Sequence, residues 1–530
     1  MQLIEVAVTS RDVAATGGRT AKVALLARCL GLAAGDSSPV TVPAVVAYLS
    51  GELPQRRTGL GQAALRGTPL PADSATLTVA EVDETFARAE ALVGAGSTAA
   101  RRALLHGLLA RADVDEQRLL RGLVTGELRQ GAAQALVLDA VAVAVGLPVA
   151  AVRRAMTLSG SSATVAVSAL TQGAAGLAAF GLQVGRPLSP MLAQSAPVLA
   201  EALDRTGPAA VEAKLDGIRV QVHRDGDVVT VFTRSLDEVT DRLPEVVEAV
   251  RALPARSLVL DGEVLALAGD DRPRPFQVTA ARTARRSDPA ADRVRMPLTL
   301  FVFDVLHVDG VDQLDRPAAE RRQVLEHLLD VDVPGLVLTP AVVVGDPADD
   351  AQVAAAQAFV DATLARGHEG VVVKALDAPY AMGRRGAGWV KVKPVHTLDL
   401  VVLAAEWGHG RRTGRLSNLH LGARDPDGRF GPAGGFVMLG KTFKGLTDAM
   451  LAWQTEHLQR LATAAPGGER EWVVRVRPEL VVEIALDGVQ TSSRYPAAVA
   501  LRFARVVRHR PDRDAAGADT VDAVLALGVT

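Results

Sequence analysis

The sequence predicts a multidomain α+β protein: an all-α region, then an α/β region, then a region of short strands. The chain of 530 residues is long enough for about three domains. Apolar residues recur at helical spacing up to about residue 190, and strand-like runs become frequent only after it. Gly185-Arg-Pro-Leu-Ser-Pro190 resists helix formation because of its two prolines, and it marks the first boundary.

Composition limits the class of protein and its compartment. Hydrophobic residues make up 48 % of the chain, which is ample for packed cores. The single cysteine, Cys29, excludes a disulfide framework and a four-cysteine zinc site, and it fits a reducing compartment. The start of the chain shows no signal peptide, and the apolar stretches 132–152 and 163–183 are too interrupted to span a membrane. We therefore expect a cytoplasmic protein with no membrane partner.

Residues 1–190 are predicted to be helical, with an internal repeat. Helices are predicted over 20–32, 81–95, 99–112, 114–124 and 131–145. Gly51-Glu-Leu-Pro-Gln55 returns as Gly126-Glu-Leu-Arg-Gln130, each time between two helical stretches. Glycines at helix starts would present free N–H groups to phosphates, whereas ordinary helix capping is the alternative. The net charge of −2 means that any phosphate-binding surface must be local.

The two later regions differ in their pattern. The α/β region is predicted to contain strands at 209–213, 219–224, 228–233, 257–266, 298–306 and 370–374, and helices at 316–330 and 352–366. The last region is predicted to contain strands at 398–405, 416–422, 434–440, 472–477 and 480–486, a helix at 446–461 and a short helical stretch at 520–527. Five short strands with one helix are typical of the OB-fold, a β-barrel that often binds nucleic acid.

Lys214 is the residue around which the chemistry can be built. It lies in Val211-Glu-Ala-Lys-Leu-Asp-Gly-Ile-Arg219, and an Asp-Gly hairpin signal at 225–226 places it on a short loop leading into a strand. Deprotonating a lysine at pH 7 costs about 4.6 kcal/mol, and nearby positive charge such as that of Arg219 lowers this cost. A solvated lysine beside a turn is the alternative.

The motif Lys214-Leu-Asp-Gly-Ile-Arg219 is the first of seven short motifs. The others follow in the order Phe232-Thr-Arg-Ser235, Leu260-Asp-Gly-Glu-Val264, Phe301-Val-Phe-Asp-Val-Leu306, Glu369-Gly-Val-Val-Val-Lys374, Trp389-Val-Lys-Val-Lys393 and Leu501-Arg-Phe-Ala-Arg-Val-Val-Arg508. In this order the chain resembles the covalent nucleotidyltransferases, and most closely the bacterial three-domain ATP-dependent DNA ligases. The NAD-dependent DNA ligases share the first motif but use a four-cysteine zinc module, which this chain cannot build.

The resemblance implies three domains and a three-step reaction. The domains are a helical DNA-binding domain (1–190), an adenylation, or nucleotidyltransferase, domain (191–394) and an OB-fold domain (395–530). Lys214 would attack the α-phosphate of ATP, the adenylate would pass to the 5′-phosphate of a nick, and the 3′-hydroxyl would displace AMP. The implied partners are ATP, Mg²⁺ and nicked double-stranded DNA, which a monomer would encircle during replication, repair or recombination.

The same resemblance assigns roles to individual residues. Nucleotide contacts fall on Glu212, Arg219, Arg234, Glu263, Phe303, Arg385 (or its neighbour Arg384), Lys391 and Lys393. Mg²⁺ binding is assigned to Glu263 and Glu369. Taken singly, each could instead be an ordinary carboxylate at a turn. Orientation of pyrophosphate is assigned to Arg502, Arg505, Arg508 and Arg510. Alternatively, these arginines form a basic surface that faces DNA. DNA contacts fall on Gly51, Gln55, Gly126 and Gln130.

Two other readings stay open at this stage. An RNA ligase or a capping guanylyltransferase carries related motifs, but those enzymes generally lack a long helical N-terminal region. The second alternative is a DNA-binding scaffold, or an ATPase that uses the P-loop pattern Gly435-Phe-Val-Met-Leu-Gly-Lys-Thr442. The bulky apolar residues of that pattern predict a strand rather than a phosphate-binding loop.

Overall fold

The computed structural model describes residues 1–55, 57–128, 134–285, 288–463 and 472–528. Its residues form two compact units, Met1–Pro190 and Met191–Thr530. We describe each unit by itself. None of the described helices is both long enough and apolar enough to cross a bilayer.

The described part of the first unit is built from helices around one apolar core. Its α-helices are α1 (Leu3–Ala15), α2 (Arg19–Ala34), α3 (Thr41–Ser50), α4 (Val79–Ala91), α5 (Ser97–Arg111), α6 (Val114–Thr125), α7 (Gln134–Ala144), α8 (Val149–Ser159) and α9 (Ser162–Ala178). Capping boxes begin α4 and α6, where Thr78 and Asp113 each accept from the backbone N–H three residues on.

The repeated pentapeptides form two helix ends with the same backbone geometry. Gly51 ends α3 at φ +82°, and Gly126 ends α6 at φ +68°, a left-handed conformation that glycine adopts without steric cost. In both copies the N–H of the following glutamate donates a hydrogen bond back to the helix. Glu52 donates to Ala47 O at 2.9 Å, and Glu127 donates to Gly122 O at 3.0 Å. This bond is the hallmark of the Schellman C-cap.

The prediction that these glycines stand at helix starts with free N–H groups was therefore wrong. The N–H of Gly51 donates to Tyr48 O at 3.0 Å, and that of Gly126 donates to Leu123 O at 3.4 Å. The amide of Gln55 donates to Asp83 Oδ1 at 2.8 Å. Gln130 lies outside the described residues.

The second unit begins with an α/β part. Its elements are β1 (Leu192–Ala196), α10 (Leu199–Thr206), β2 (Ala209–Lys214), β3 (Ile218–Asp225), β4 (Val228–Thr233), α11 (Pro244–Arg251), β5 (Ser257–Ala266), α12 (Phe276–Ala284), α13 (Pro289–Arg295), β6 (Leu298–Val308), β7 (Val311–Asp312), α14 (Ala318–Leu328), β8 (Leu336–Leu338), β9 (Ala341–Val344), α15 (Asp350–Ala365), β10 (Gly370–Ala375) and β11 (Arg385–Val392).

These strands form two sheets. One sheet has the order β1-β11-β10-β2-β9, and the other has the order β4-β3-β5-β6-β7 with β8 beside β6. Side chains alternate between the faces of the first sheet with a period of two. Val211, Val371 and Val390 point into an apolar core shared with residues of α10 and α15. The opposite face carries the polar side chains of the same strands toward a cleft.

A sheet of antiparallel strands completes the unit. Its elements are β12 (His396–Trp407), β13 (Leu416–Asp425), β14 (Gly435–Thr442), α16 (Asp448–Arg460), β15 (Val473–Arg475), β16 (Val481–Leu486), β17 (Gly488–Thr491), β18 (Val499–Arg502), β19 (Arg505–His509) and α17 (Val521–Leu525). The strand order is β14-β13-β12-β16-β19, with β15 beside β12, while β17 and β18 pair separately.

The predicted β-barrel is not closed. Within the described residues, β14 and β19 remain the two edges of the sheet, joined by isolated bonds such as Val506 N–H to Lys444 O at 2.9 Å. The chain leaves β14 through Gly445 at φ +84°, where an added Cβ would lie 2.1 Å from Val506 O. The two edges therefore meet at this crossing without forming a continuous ladder.

Candidate active site

A cleft of 1190 Å³ opens on the polar face of the five-stranded sheet, and the second sheet supplies further lining residues. Lys214 lines the cleft as the last residue of β2. The prediction that it lies on a loop was therefore wrong, since the loop begins at the next residue. The strand continues to Lys214 because it pairs with Gly370 on β10. The predicted hairpin between β3 and β4 is confirmed, with Asp225 opposite Val228.

Glu369 is the direct partner of Lys214. Its carboxylate forms an ion pair with the Lys214 ammonium, its N–H donates to Lys214 O at 3.0 Å, and Lys393 Nζ reaches its Oε1 at 3.0 Å. Burial raises the pKa of Glu369, but Lys214 and Lys393 outweigh it and bring the pKa down to about 2. Gly370 makes this approach possible, because a Cβ there would lie 2.2 Å from Val392 O.

Glu263 is a second carboxyl near Lys214, with the opposite pKa shift. It lies within β5, and its Oε1 accepts from the Gly217 N–H at 3.1 Å. Burial raises its pKa to about 7, although Lys214 and Arg219 lower it. Gly217 must lack a side chain here, since a Cβ would lie 2.3 Å from Val264 O.

Arg219 does not act as a free positive charge beside Lys214. Its guanidinium makes two bonds to Asp261, at 3.0 and 2.6 Å, and one to Met191 O at 2.8 Å. Tyr380 Oη donates to the same carboxylate at 2.6 Å. Sequence reasoning missed Asp261 and Tyr380. Asp261 stands inside a recognised motif, whereas no local signal marks Tyr380.

One end of the cleft is aromatic. Phe303 is half-buried and lines the cleft, while Phe301 is buried. Trp389 lies edge-on to Phe303 with 6.0 Å between ring centres. Glu212 lines the same end and is buried against Lys374, with Nζ 2.5 Å from Oε2.

The remaining predicted nucleotide contacts divide between two cavities. Arg234, Arg385 and Lys391 line the main cleft. Burial lowers the pKa of Lys391, and the charges of Lys393 and Lys214 lower it further. Lys393 instead lines an adjoining cavity of 350 Å³ and forms an ion pair with Asp487.

The four arginines predicted to act together are dispersed. Arg502 reaches the first motif, with two bonds to the Asp216 carboxylate at 2.8 and 2.9 Å. Arg505 lies 4.0 Å from Asp487 Oδ1. Arg508 and Arg510 bond to acids of their own sheet, Glu483 at 2.6 Å and Asp399 at 2.9 Å. Pairing of β19 with β16 spreads these side chains along the sheet in this structure. Their role in orienting pyrophosphate stays a prediction.

The P-loop pattern is strand β14, and its lysine, Lys441, forms an ion pair with Glu406 on β12 of the same sheet. A phosphate-binding loop needs exposed backbone N–H groups. Here the backbone from Gly435 to Thr442 is paired with β13.

Comparison with known proteins identifies the family. The family model described as "ATP dependent DNA ligase domain" matches residues 190–393, its C-terminal region model matches 412–513, and its "DNA ligase N terminus" model matches 62–142. "DNA ligase B" of Mycobacterium tuberculosis is 55 % identical over 528 residues, covering 99 % of this chain and 100 % of that protein. The chain belongs to the ATP-dependent DNA ligase family.

Further comparisons agree with this membership. A "Probable DNA ligase" of Streptomyces griseus is 56 % identical over 525 residues, covering 99 % of each chain. The solved structure described as "Pmar-Lig_PreS3" is 16 % identical with a TM-score of 0.52, covering 95 % of this chain and 99 % of that one, which is a likeness of fold. As a member of the ATP-dependent DNA ligases, the chain is an enzyme that forms phosphodiester bonds using ATP.

Proposed function

We propose that this ligase seals nicks in duplex DNA through a covalent adenylate on Lys214. The Lys214 nitrogen forms a bond to the α-phosphorus of ATP and pyrophosphate leaves. The 5′-phosphate of the nick then takes the adenylate from the lysine. The 3′-hydroxyl attacks that phosphate, the new phosphodiester forms and AMP leaves. One observation carries the proposal: Lys214 ends its strand inside the cleft, beside the carboxylate of Glu369.

The geometry suggests where each part of ATP binds. The aromatic end with Phe303 and Glu212 suits a purine base, since rings stack on aromatic faces and a carboxylate accepts from an amino group. The rest of the cleft is lined by Lys391, Arg234 and Arg385, whose positive charges suit phosphates. Positioning and charge neutralisation dominate such transfers, so few proton-transfer groups are needed.

Two carboxyls fit a magnesium ion. Glu263 and Glu369 are both close enough to Lys214 for its charge to lower their pKa values, so they flank the proposed nucleophile. Mg²⁺ in nucleotide sites commonly takes one or two carboxylates together with phosphate oxygens. Bound there, the ion would neutralise phosphate charge and compete with Lys214 for Glu369.

We also propose the domain roles. Residues 1–190 would form the helical DNA-binding domain, 191–394 the adenylation domain and 395–530 an open relative of the OB-fold, with one monomer encircling the nicked duplex. Supporting the first role, the two Schellman turns are neighbours, since a Cβ on Gly51 would lie 3.7 Å from Leu128 Cβ. The turns at Gly51 and Gly126, with Gln55 beside the first, would thus form one DNA-facing surface. Gln130, also predicted to contact DNA, lies outside the described residues.

Substituting Lys214 tests the reaction. Lys214→Ala is expected to give no labelled protein with α-labelled ATP and Mg²⁺, because the nitrogen that accepts AMP is gone. The same variant should still seal a nick that already carries a 5′-adenylate, since that step needs no lysyl nucleophile. Lys441→Ala is the matched control and should label like the native enzyme. Labelling that survives Lys214→Ala would refute the assignment.

A further inference from the structure

A buried lysine beside the aromatic end of the cleft has no part in the three steps. Lys374 closes the motif that begins at Glu369, and its side chain is only 5 % exposed. Its Nζ donates to Phe303 O at 2.8 Å and lies 2.5 Å from Glu212 Oε2. It also lies 4.5 Å from the ring centre of Trp389 and 4.8 Å from that of Phe303. An ammonium so enclosed needs these partners to remain charged.

The sheet register fixes this arrangement. On β10, Lys374 lies directly opposite Trp389 of β11, and Val372 lies directly opposite Glu212 of β2. Because side chains alternate with a period of two, Lys374 and Glu212 share one face as diagonal neighbours. The position of the ammonium therefore comes from three paired strands rather than from a mobile side chain.

Lys374 is the main group that favours the ionised form of Glu212. The charged neighbours of Glu212 are Lys374, Arg322 with Nη1 at 3.6 Å, and Asp304, which is itself bonded to Arg321. Burial is the largest influence and leaves the pKa of Glu212 raised even beside Lys374; among the influences that limit this rise, Lys374 is larger than Arg322. Without Lys374, burial would favour the neutral acid.

The charge of Glu212 matters because the two common purines differ at position 6. An ionised carboxylate can only accept hydrogen bonds, whereas the neutral acid can also donate one. Adenine carries an amino donor at that position and guanine carries a carbonyl acceptor. We propose that Lys374 is a positioning residue for base selection, which holds Glu212 as a fixed acceptor so that the site takes adenine and rejects guanine. This inference rests on the proposed nucleotide site.

The test compares covalent labelling of the protein by ATP and by GTP. Lys374→Met removes the charge and retains an unbranched apolar side chain. The ratio of kcat/KM for ATP over GTP is expected to fall about tenfold to a hundredfold, the range that one hydrogen bond to a charged group contributes. The loss should shrink as pH rises, because Glu212 then ionises without help. Lys444→Met, at an exposed lysine, is the matched control and should keep the native ratio.

A double substitution separates positioning from general damage. Glu212→Gln should lower the ratio at every pH, since an amide does not titrate. If Lys374 acts through Glu212, adding Lys374→Met to Glu212→Gln should change the ratio no further. A purely structural lysine would instead lower activity with both nucleotides in the single and the double variant alike.

Each outcome decides one claim. An ATP-to-GTP ratio in Lys374→Met that equals the native ratio at every pH overturns the inference. If Lys374→Met does not fold, the native enzyme and Glu212→Gln are compared with a purine triphosphate that lacks the 6-amino group. If the native enzyme prefers ATP over this analogue and Glu212→Gln shows the same preference, the inference is also overturned. Native enzyme that forms no covalent adenylate would refute the proposed function, before any variant is compared.

Discussion

Glu263 combines a proposed catalytic role with a cost to stability. Its pKa of about 7 exceeds its ordinary 4.5 because burial dominates. The folded protein therefore holds this proton where the unfolded chain releases it. The resulting stabilisation is fully present below about pH 4.5 and is lost as the pH rises through about 7. Above about pH 7, the ionised side chain is destabilising in the absence of a bound cation.

Glu263→Gln should therefore stabilise the protein while impairing ligation. With a chelator present, we expect the unfolding free energy at pH 8 to rise by about 1–3 kcal/mol, with only a small part of that gain at pH 5. Thermal unfolding at both pH values measures the difference. Glu320→Gln, at an exposed residue of α14, is the matched control and should show no such pH dependence. Equal effects of Glu263→Gln at the two pH values would contradict the assigned ionisation.

The site residues show how far local sequence reaches. Lys214, Glu369 and Phe303 were found because short motifs carry them. Lys214 and Phe303 line the main cleft, and Glu369 lines the smaller cavity while forming an ion pair with Lys214. The bond from Arg502 to Asp216 joins residues 286 positions apart. The bond from Tyr380 to Asp261 spans 119 positions. Such pairings depend on how the strands are ordered, which no local pattern records.

At the scale of elements, the two glycine-ended helices α3 and α6 make a testable pair. Gly51→Ala and Gly126→Ala each place a Cβ at a positive φ, so each should cost about 1 kcal/mol in local stability. Hydrogen exchange of the amides at the ends of α3 and α6 measures this loss. Gly107→Ala, inside α5 with open space around it, should instead stabilise by about 0.5–1 kcal/mol. Unchanged exchange in both cap variants would contradict the capping role.

Prediction of the elements succeeded where residue patterns were distinct. The strands of the α/β part, such as β4 and β5, match because apolar runs end at glycine or charged turns. Helices α8 and α9 were not predicted as separate elements. The alanine-rich sequence of α9 shows little contrast between faces, whereas α8 has a distinct apolar face that the sequence analysis missed. The short arginine-rich strand β19 was not predicted as a strand, although its residues were recognised as part of a motif. Closure of a barrel depends on pairing between distant edges, and this part of the prediction was wrong.

At the scale of the whole molecule, the second unit already joins two of the proposed domains around the cleft. Lys393 and Asp487 form one ion pair across them, and Asp216 and Arg502 form another. All four residues line the cavity of 350 Å³ that also contains Glu369, the partner of Lys214. An arrangement that encloses ATP in this way suits adenylation of the lysine, and it must open for the cleft to receive the ends of a nick.

The proposed encirclement of DNA predicts a change in the shape of the whole protein. The net charge of −2 gives no general attraction to a polyanion, so binding must come from several local surfaces engaged together. We expect the three domains to be mobile in free protein and to draw together on a nicked duplex. Neutron scattering with the DNA contrast-matched should show the protein's radius of gyration fall, with one protein per nick and a smaller change on intact duplex. An unchanged radius on saturating nicked duplex would show that the domains do not clamp, and a scattering mass of two proteins per nick would exclude a monomer.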